Sequence, residues 1–426
     1  MTNHSRRNFL KGAATATALS ALPLTAKATT GLNGKNVIVI GGGFAGATAA
    51  KYIRHWSDAN VTLIEPNVEY NSCILSGLVV TGERTLDQVS FDYNTLQSKY
   101  GVNVIADTVN SIDSGNQTVT RSGSATPLPY DKLVLAPGIE FIDPGLTGGA
   151  GQFSNFEVLQ NECPHAWKAG AQTTELKNQV DALQQAGSGT LVIRVPKKPF
   201  RCPPGPYERA CTIADYLGPN FDVKIVDPDD SLNTIGVLTN VFAGLFGSGN
   251  LYPNIEHIAG EDVTNITSGK VVTVSNYGDI AAQVVNFIPD QRAPAIVRDT
   301  VGGTWGAVDP VSYESTTTAN IHIIGDSQAT SQPKAGHIAN SEAKVCADAI
   351  VRSLMPAPML PYAYPMTNSA CFTPINSNEA AWISAVYKYD GSAIVTEKVG
   401  NSPTYNEENH EVMFDWANNL FSDTFG

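Results

Sequence analysis

The sequence predicts an α/β protein with two doubly wound, Rossmann-like domains and a smaller α+β domain behind them. Residues 36–66 alternate between an apolar strand, a glycine-rich turn, a helical segment and a second strand, and a similar alternation recurs over 189–228. Such βαβ patterns are typical of parallel sheets covered by helices. A third observation is the apolar segment "NIHIIGD" at 320–326, a late strand that returns to the first domain. The first domain is therefore predicted to be interrupted by the second.

These patterns predict the following division of the chain. An export signal occupies 1–28, the first domain 29–145 and 288–358, the second domain 146–287, and the C-terminal domain 359–426. "YDKLVLAPG" at 130–138 is expected to be another buried strand of the first domain, and a helix is expected from about residue 206 in the second. The Pro- and aromatic-rich tail is expected to serve as core and as a subunit contact.

Composition excludes several classes of partner. The 426 residues are 42% hydrophobic and 16% charged, which is an ordinary globular composition. A formal charge of −13 argues against nucleic acids and anionic membranes and favours a cationic partner. Beyond the first residues, the chain contains no apolar run of the length that crosses a membrane, so no membrane insertion is expected.

The first residues predict the compartment. "SRRNFLKG" contains Arg6 and Arg7, and an Ala-rich apolar run ends in "AKA" at 26–28. This order of a charged start, an apolar middle and small residues at the cut is typical of a twin-arginine export signal. The alternative is a chance arginine pair before an amphipathic helix. Export by this route places the folded protein in the periplasm.

A glycine fingerprint follows the first predicted strand. "GGGFAG" at 41–46 fits G-x-G-x-x-G between strand and helix, and Glu65 ends the next strand. Gly41 permits the tight turn, Gly43 allows a pyrophosphate to approach the backbone, and the acidic residue is placed for a ribose hydroxyl. The predicted dinucleotide contacts are Gly41, Gly43, Phe44, Ala45, Gly46 and Glu65.

The late strand favours FAD over NAD as the dinucleotide. "TANIHIIGD" and "LVLAPG" resemble two strands shared by two-dinucleotide flavoproteins of the glutathione reductase type, and that resemblance implies that Asp326 holds the ribityl chain. The second domain has "VPKKPFRCPPGP" where a nicotinamide-binding domain would have its glycines. Since proline cannot donate a hydrogen bond to phosphate, we expect no NAD site there.

Over most of its length the chain resembles one family, the flavoprotein subunit of flavocytochrome c sulfide dehydrogenase. The segments that carry the resemblance are "VIGGGFAGATAAKYI", "VTLIEPN", "YNSCILS", "LAPGIE", "PHAWKAG", "PFRCPPGPYERA", "HIIGD" and "DTFG". The resemblance implies an FAD tethered through its 8α carbon to Cys73. The alternative for Cys73 is a small buried hydrophobic residue.

The resemblance also implies a redox disulfide that sulfide attacks, and one of its two cysteines matches Cys202. Because Cys202 precedes a predicted helix, we expect the helix N-terminus to lower its pKa. Glu208 is a candidate proton acceptor near the sulfur. The alternative for Glu208 is an acid in the first helical turn, where the helix dipole favours it.

The second redox cysteine is expected soon after the Gly-Asp strand, but Gln328 occupies that position. Cys211 is the substitute to consider, either as a disulfide partner of Cys202 or as a second ligand with it for a soft ion such as copper. It could equally be a packed helix residue. Cys163, Cys346 and Cys371 are expected to be structural.

The leading functional prediction is a periplasmic FAD-dependent oxidoreductase subunit. It would pass electrons from sulfide or a related sulfur compound to a c-type cytochrome subunit in a heterodimer. The chain lacks C-x-x-C-H, so haem c is expected only in that partner. One alternative keeps the scaffold without sulfide dehydrogenase activity, because the disulfide is incomplete. Another is a copper-binding or electron-relay flavoprotein that uses Cys202 and Cys211.

Overall fold

A computed structural model of the protein describes residues 30–230 and 239–426. The predicted export signal at 1–28 lies outside the described residues. The strands are β1 (Asn36–Ile40), β2 (Asn60–Ile64), β3 (Glu69–Asn71), β4 (Ser90–Asp92), β5 (Asn103–Ile105), β6 (Val109–Asp113), β7 (Thr118–Arg121), β8 (Ser124–Pro129), β9 (Lys132–Leu135), β10 (Glu140–Phe141), β11 (Gly189–Arg194), β12 (Phe221–Asp227), β13 (Ile255–Ala259), β14 (Val263–Ile266), β15 (Val271–Val274), β16 (Gly278–Ala281), β17 (Val284–Phe287), β18 (Gln291–Arg292), β19 (Ile321–Ile323), β20 (Met366–Pro374), β21 (Ala380–Tyr389) and β22 (Ile394–Asn401).

The α-helices are α1 (Phe44–Trp56), α2 (Ser76–Val80), α3 (Asn94–Ser98), α4 (Phe156–Glu162), α5 (Ala171–Ala186), α6 (Gly205–Leu217), α7 (Thr239–Ala243), α8 (Ala295–Val301), α9 (Gly336–Leu354) and α10 (Glu407–Phe425). Single 3₁₀ turns cover Asp87–Val89 and Gly325–Ser327. None of the helices in the described parts of the chain is both long and apolar enough to cross a membrane.

The first sheet has the strand order β19-β9-β1-β2-β5, with every pair parallel. Its central strands are apolar on both faces, because α1 and α9 cover one face and the antiparallel strands β6–β8 cover the other together with α8. Strand β19, which comes after the whole second sheet in sequence, pairs with β9. The predicted return of the late strand to the first unit is therefore confirmed in the sheet order. The domain boundaries at 145/146, 287/288 and 358/359 stay a prediction.

The second sheet has the order β13-β12-β11-β17 and is also parallel. Asp227 ends β12 much as Glu65 follows β2, yet its carboxylate is fully buried. It accepts a hydrogen bond from the Tyr207 hydroxyl and lies 3.0 Å from His257 Nε2. The acidic residue of this domain is thus engaged by the protein's own side chains.

The C-terminal unit is the antiparallel sheet β20-β21-β22 with α10 behind it. Helix α9 packs on both α1 and β20, while α6 also contacts β20. Through these contacts the C-terminal sheet reaches both doubly wound units. That position brings β20 close to the start of α6, where the proline-rich segment lies.

Candidate functional site

A nucleotide-sized cleft lies at the carboxyl ends of the first sheet. Gly41 has φ +100°, and a Cβ at this position would lie 2.3 Å from the Ala136 carbonyl oxygen. Helix α1 then begins at Phe44, and its N-cap, Gly43, provides no side chain to cap the first N–H groups. These unpaired donors face the cleft at the positive end of the helix dipole, which is a favourable place for a phosphate.

Four carboxylates, those of Glu65, Glu69, Asp107 and Asp326, line the same cleft, which has a volume of about 1580 Å³ including the part open to solvent. Glu65 Oε2 accepts from the Gly42 N–H at 2.8 Å, and Oε1 accepts from the Asn67 N–H at 3.0 Å. Asp326 follows Gly325, whose φ of +68° makes the turn after β19. The residues fit an extended dinucleotide, with phosphates at α1 and hydroxyl-binding carboxylates along the cleft. Gly41, Gly43, Phe44, Ala45, Glu65, Cys73 and Asp326 line it, whereas Gly46 lies beneath the turn against Gly41.

A second, mainly apolar cavity of about 860 Å³ adjoins this cleft. Both cavities are lined by Cys73, Arg201 and Gly336. The second cavity is also lined by Cys202, Glu208, His337, Cys371 and Trp416. Three thiols, those of Cys73, Cys202 and Cys371, and the Glu208 carboxyl group therefore line a cavity that adjoins the nucleotide cleft.

Cys202 is held rigidly at the wall of this cavity. Its φ of +58° is left-handed, a conformation that costs a non-glycine residue about 1–2 kcal/mol. Its N–H donates to the Lys334 carbonyl at 2.8 Å, and its own carbonyl accepts from the Gly205 N–H at 2.9 Å. A side chain at Gly205 would approach Cys202 Sγ to 3.1 Å, so glycine leaves room for the sulfur. Helix α6 begins there, one residue before the predicted start.

Cys371, on β20, lines the same cavity as Cys202 and is the largest influence on the Cys202 pKa. Both cysteines are free. Cys371 was expected to be structural, and it lies at this cavity because α6 and β20 pack together. Cys211 is fully buried in the apolar core of the second unit and lines neither cavity, so it is not positioned as the redox substitute.

The expectation that the helix N-terminus lowers the pKa of Cys202 is wrong. The hydrogen bond with Cys371, followed by burial, raises the pKa of Cys202 well above its usual value. Arg201 and Arg209 oppose that rise. Glu208 lies in the first turn of α6, and burial followed by the nearby Cys202 raises its pKa well above the ordinary carboxyl range. The raised pKa favours the protonated carboxyl group, which suits Glu208 to exchange a proton with the sulfur.

Cys73 lies between β3 and α2, at the junction of the two cavities. Its Sγ is 4.0 Å from the Tyr70 hydroxyl. Burial raises the pKa of Cys73, and the Arg201 guanidinium opposes the rise. The Arg201 guanidinium is in turn paired with Asp326, 3.5 Å away, and donates to the Trp167 carbonyl.

Position 328, where the second thiol was expected, has a structural role. The side-chain nitrogen Nε2 of Gln328 donates to Glu342 Oε1 at 2.9 Å. The backbone carbonyl of Gln328 accepts from Lys334 Nζ at 2.7 Å. This network supports the loop whose Lys334 carbonyl holds Cys202. Among residues 30–230 and 239–426, no group of three or more His, Cys, Asp or Glu side chains is placed to bind a metal.

Sequence reasoning missed four residues of the site: Cys371, Arg201, His337 and Trp416. The His337 Nδ1 accepts from the Ala370 N–H at 2.9 Å and from Trp416 Nε1 at 3.2 Å, so it links α9, β20 and α10 at the cavity. The sequence contains one indication that Cys371 could belong to the site. Cys346 lies in the buried stripe of a long predicted helix, which leaves Cys371 as the other cysteine late in the chain.

Three family models match the chain. Residues 173–289 match "sulfide dehydrogenase (flavocytochrome c) flavoprotein chain, central", and residues 35–177 match "pyridine nucleotide-disulphide oxidoreductase". Residues 3–23 match the twin-arginine translocation pathway signal sequence. The export signal and the periplasmic destination predicted from Arg6 and Arg7 are thereby confirmed.

Similar proteins agree with these matches. A sulfide dehydrogenase (flavocytochrome c) flavoprotein chain from Chlorobaculum thiosulfatiphilum is 46% identical over 46 residues, which are 11% of this chain and 96% of that sequence. A sulfide-quinone reductase from Aquifex aeolicus is 25% identical over 280 residues, 62% of this chain. The chain spans 60% of that reductase's length, and about a quarter or less of two other curated relatives.

A solved structure shares the whole architecture. The sulfide:quinone oxidoreductase of Aquifex aeolicus superposes with a TM-score of 0.75 at 19% identity, over 92% of this chain and 91% of that one. The fold of two dinucleotide-type domains with a C-terminal domain, predicted from the βαβ patterns, is thereby confirmed. With the cleft, the family models and the short but nearly complete Chlorobaculum match taken together, this chain belongs to the family of flavoprotein chains of flavocytochrome c sulfide dehydrogenase.

Proposed function

We propose that the protein is a periplasmic flavin oxidoreductase that oxidises sulfide, or a related reduced sulfur compound, and delivers the electrons to a c-type cytochrome subunit. The observation that carries the proposal is the pair of thiols Cys202 and Cys371, which line one cavity adjoining the nucleotide cleft. A dithiol beside a flavin site can exchange an electron pair with it.

The cofactor of this proposal is FAD. The first turn of α1 would hold its pyrophosphate, Glu65 a ribose hydroxyl and Asp326 the ribityl chain. When bound, the flavin accepts the electron pair released by the sulfur chemistry and passes it on one electron at a time. Cys73 would tether the flavin through the 8α carbon, because its sulfur lies where the two cavities meet.

The residues of the second cavity would carry out the sulfur chemistry. In the oxidised protein, hydrosulfide attacks the Cys202–Cys371 disulfide, so that one S–S bond forms as the other breaks. One cysteine becomes a persulfide and the other a thiolate. Oxidation of these two groups together releases one electron pair and one proton, and it leaves the added sulfur in the zero-valent state. Glu208 supplies and removes the proton at the Cys202 sulfur.

The alternative without sulfide chemistry was based on the missing thiol at position 328. Cys371 supplies a second thiol from another element, which supports an active dithiol. A copper site at Cys202 and Cys211 has less support, because Cys211 lies in the core. Metal analysis of the purified protein tests it: stoichiometric copper that is lost in Cys211→Ala would favour that alternative over the present proposal.

The acceptor distinguishes this proposal from a quinone-reducing one. The family model and the Chlorobaculum relative are named for flavocytochrome c, whereas the Aquifex proteins are named for quinone. We favour a separate cytochrome subunit, since the export signal directs the chain to the compartment of c-type cytochromes. Faster sulfide-dependent reduction of a short-chain quinone than of any c-type cytochrome would contradict this choice.

The central experiment mixes the purified flavoprotein with sulfide under anaerobic conditions and follows flavin bleaching. Wild type and Cys211→Ala should bleach at similar rates, while Cys202→Ser and Cys371→Ser should each lose the reaction. Flavin content of each variant provides the folding control. A Cys371→Ser protein that bleaches as fast as wild type would exclude the proposed dithiol.

The tether has a separate test that requires no turnover. After acid denaturation, the flavin of wild-type protein should stay with the polypeptide, and that of Cys73→Ser should be released. Release of all flavin from the wild-type protein would exclude the link at Cys73.

A further inference from the structure

We propose that Arg201 is the positioning residue that makes Cys73 reactive toward the flavin, by stabilising its thiolate during formation of the covalent tether. The inference rests on the tether in the proposed function and goes beyond it. It assigns a role to a residue that forms neither the tether nor the dithiol.

The location of Arg201 supports this role. Of the described residues, it is the cation that lines both cavities. Lys168 lines only the nucleotide cleft, and Arg209 only the apolar cavity. Arg201 is buried, and the Arg201 N–H donates to Gln291 Oε1 at 2.9 Å. Its carbonyl accepts from Trp167 Nε1 at 3.1 Å, so the backbone at both sides of the residue is fixed.

The guanidinium is also fixed, between the Asp326 carboxylate at 3.5 Å and the Trp167 carbonyl. The carboxylate and the carbonyl both accept hydrogen bonds from the guanidinium. They hold its charge at the junction of the two cavities, where Cys73 lies. A buried arginine keeps its charge, because guanidinium remains protonated in proteins. A fixed cation at a buried thiol is the arrangement that produces reactive cysteines elsewhere.

The surroundings of Cys73 make such a cation necessary. Burial is the largest influence on the Cys73 thiol and favours its neutral form, and the charges of Asp326 and Cys202 act in the same direction. The Tyr70 hydroxyl can donate to the sulfur over 4.0 Å, and Arg201 is the positive charge that acts on it. Arg201 therefore lowers the free energy of forming the Cys73 thiolate, against the net rise in pKa that burial causes.

Attachment of the flavin to Cys73 needs no oxidant other than the flavin itself. The Cys73 sulfur forms a bond to the 8α carbon, while the S–H bond and one C–H bond of the 8-methyl group break. The electron pair and the two protons pass to the ring system, which is left reduced and is reoxidised by the electron acceptor. The thiolate is the attacking species, so the rate should follow its population.

The test measures attachment directly. Flavin-free protein, produced in riboflavin-limited cells, is mixed with FAD, and the acid-stable flavin on the polypeptide is followed with time at several pH values. Arg201→Gln should attach flavin at least about tenfold more slowly at pH 7, with the rate profile displaced by about 1–3 units to higher pH. Arg201→Lys, which keeps a positive charge, should recover much of the rate.

Arg352→Gln is the matched control, because it makes the same substitution at an arginine that lines neither cavity and does not act on Cys73. Its attachment rate should equal that of wild type. Total bound FAD, released or attached, is measured in each variant, so that a loss of binding is separated from a loss of attachment.

Two contrary outcomes are distinguishable. Equal attachment rates and equal pH profiles for wild type and Arg201→Gln would overturn the role of Arg201 and leave the tether intact. Complete release of flavin from wild-type protein would overturn both the tether and this inference.

Discussion

At the scale of single residues, the unusual backbone of Cys202 places its sulfur. A left-handed φ at a non-glycine residue persists only where surrounding contacts fix it. Here the Lys334 carbonyl and the Gly205 N–H hold the residue from both sides. The left-handed turn directs the side chain to the cavity wall, where it meets Cys371 from a different part of the chain.

The first prediction concerns this pair. Mild oxidation of the flavoprotein should produce a Cys202–Cys371 disulfide, because the two thiols are neighbours in one cavity. Peptide mapping by mass spectrometry without reduction would detect it, and Cys211→Ala should contain the same bridge. Recovery of Cys202 in a bridge to Cys211 instead would contradict the arrangement.

The second prediction concerns Glu208. Burial raises the pKa of Glu208, so the protonated form that serves as an acid is kept to higher pH than in an ordinary carboxyl group and is lost as pH rises through the raised pKa. Glu208→Gln should slow sulfide-dependent flavin reduction by about a hundredfold. It should also remove the alkaline decline of the rate.

Stopped-flow rates of variant and wild type are compared at each pH, so that the ionisation of sulfide itself cancels in the ratio. A constant ratio across the alkaline range would assign the decline to another group.

The sequence predicted the site residues that belong to short local motifs. It missed the residues that packing brings together from distant parts of the chain. The glycine turn, Glu65, Asp326 and Cys202 each belong to a short motif whose geometry follows from its own residues. Cys371 belongs to no such motif, since it meets Cys202 only because β20 packs on α6. The Cys202 pKa was mispredicted for the same reason: the helix N-terminus is visible in the sequence, and the thiol neighbour is not.

At the scale of elements, α10 is joined to the nucleotide-binding unit. Phe425 packs against Phe91, Tyr70 and Phe44, with ring centroids 5.0, 5.5 and 5.9 Å away. Lys51 of α1 donates to the carbonyls of Asp423 and Gly426 at 2.8 and 2.7 Å. The last helix therefore supports Phe44, which begins α1 at the cleft.

The third prediction tests this support. Phe425→Ala should lower the free energy of unfolding by about 3–5 kcal/mol, because it removes a buried ring from an aromatic cluster. Denaturant unfolding measures the loss. Val412→Ala on the exposed side of the same helix serves as control and should change stability by less than about 0.5 kcal/mol. Equal stability of the two variants would contradict the packing role.

At the scale of the whole molecule, the net charge would govern encounters with the cytochrome subunit proposed above. Loss of residues 1–28 would remove four basic residues and no acidic ones, so the exported chain would be more negative than the full sequence at −13. An acidic surface attracts a cationic cytochrome over long distances, and salt screens that attraction.

The fourth prediction follows from this charge. Sulfide-dependent reduction of a cationic c-type cytochrome should slow by about tenfold between low and high ionic strength. Reduction of an uncharged quinone, if it occurs, should change little. The two rates are measured with the same preparation at increasing NaCl concentration. A cytochrome rate independent of salt would exclude electrostatic steering.

The place of β19 beside β9 has a consequence for biosynthesis. The ribosome makes the entire second sheet between these two neighbouring strands, so the nucleotide-binding unit cannot complete its fold until β19 has emerged. Asp326, which immediately follows that strand, becomes available at the same late stage. Cofactor loading is thereby delayed until both doubly wound units have been translated. An export route that carries folded proteins suits a chain whose first domain completes its fold only late in synthesis.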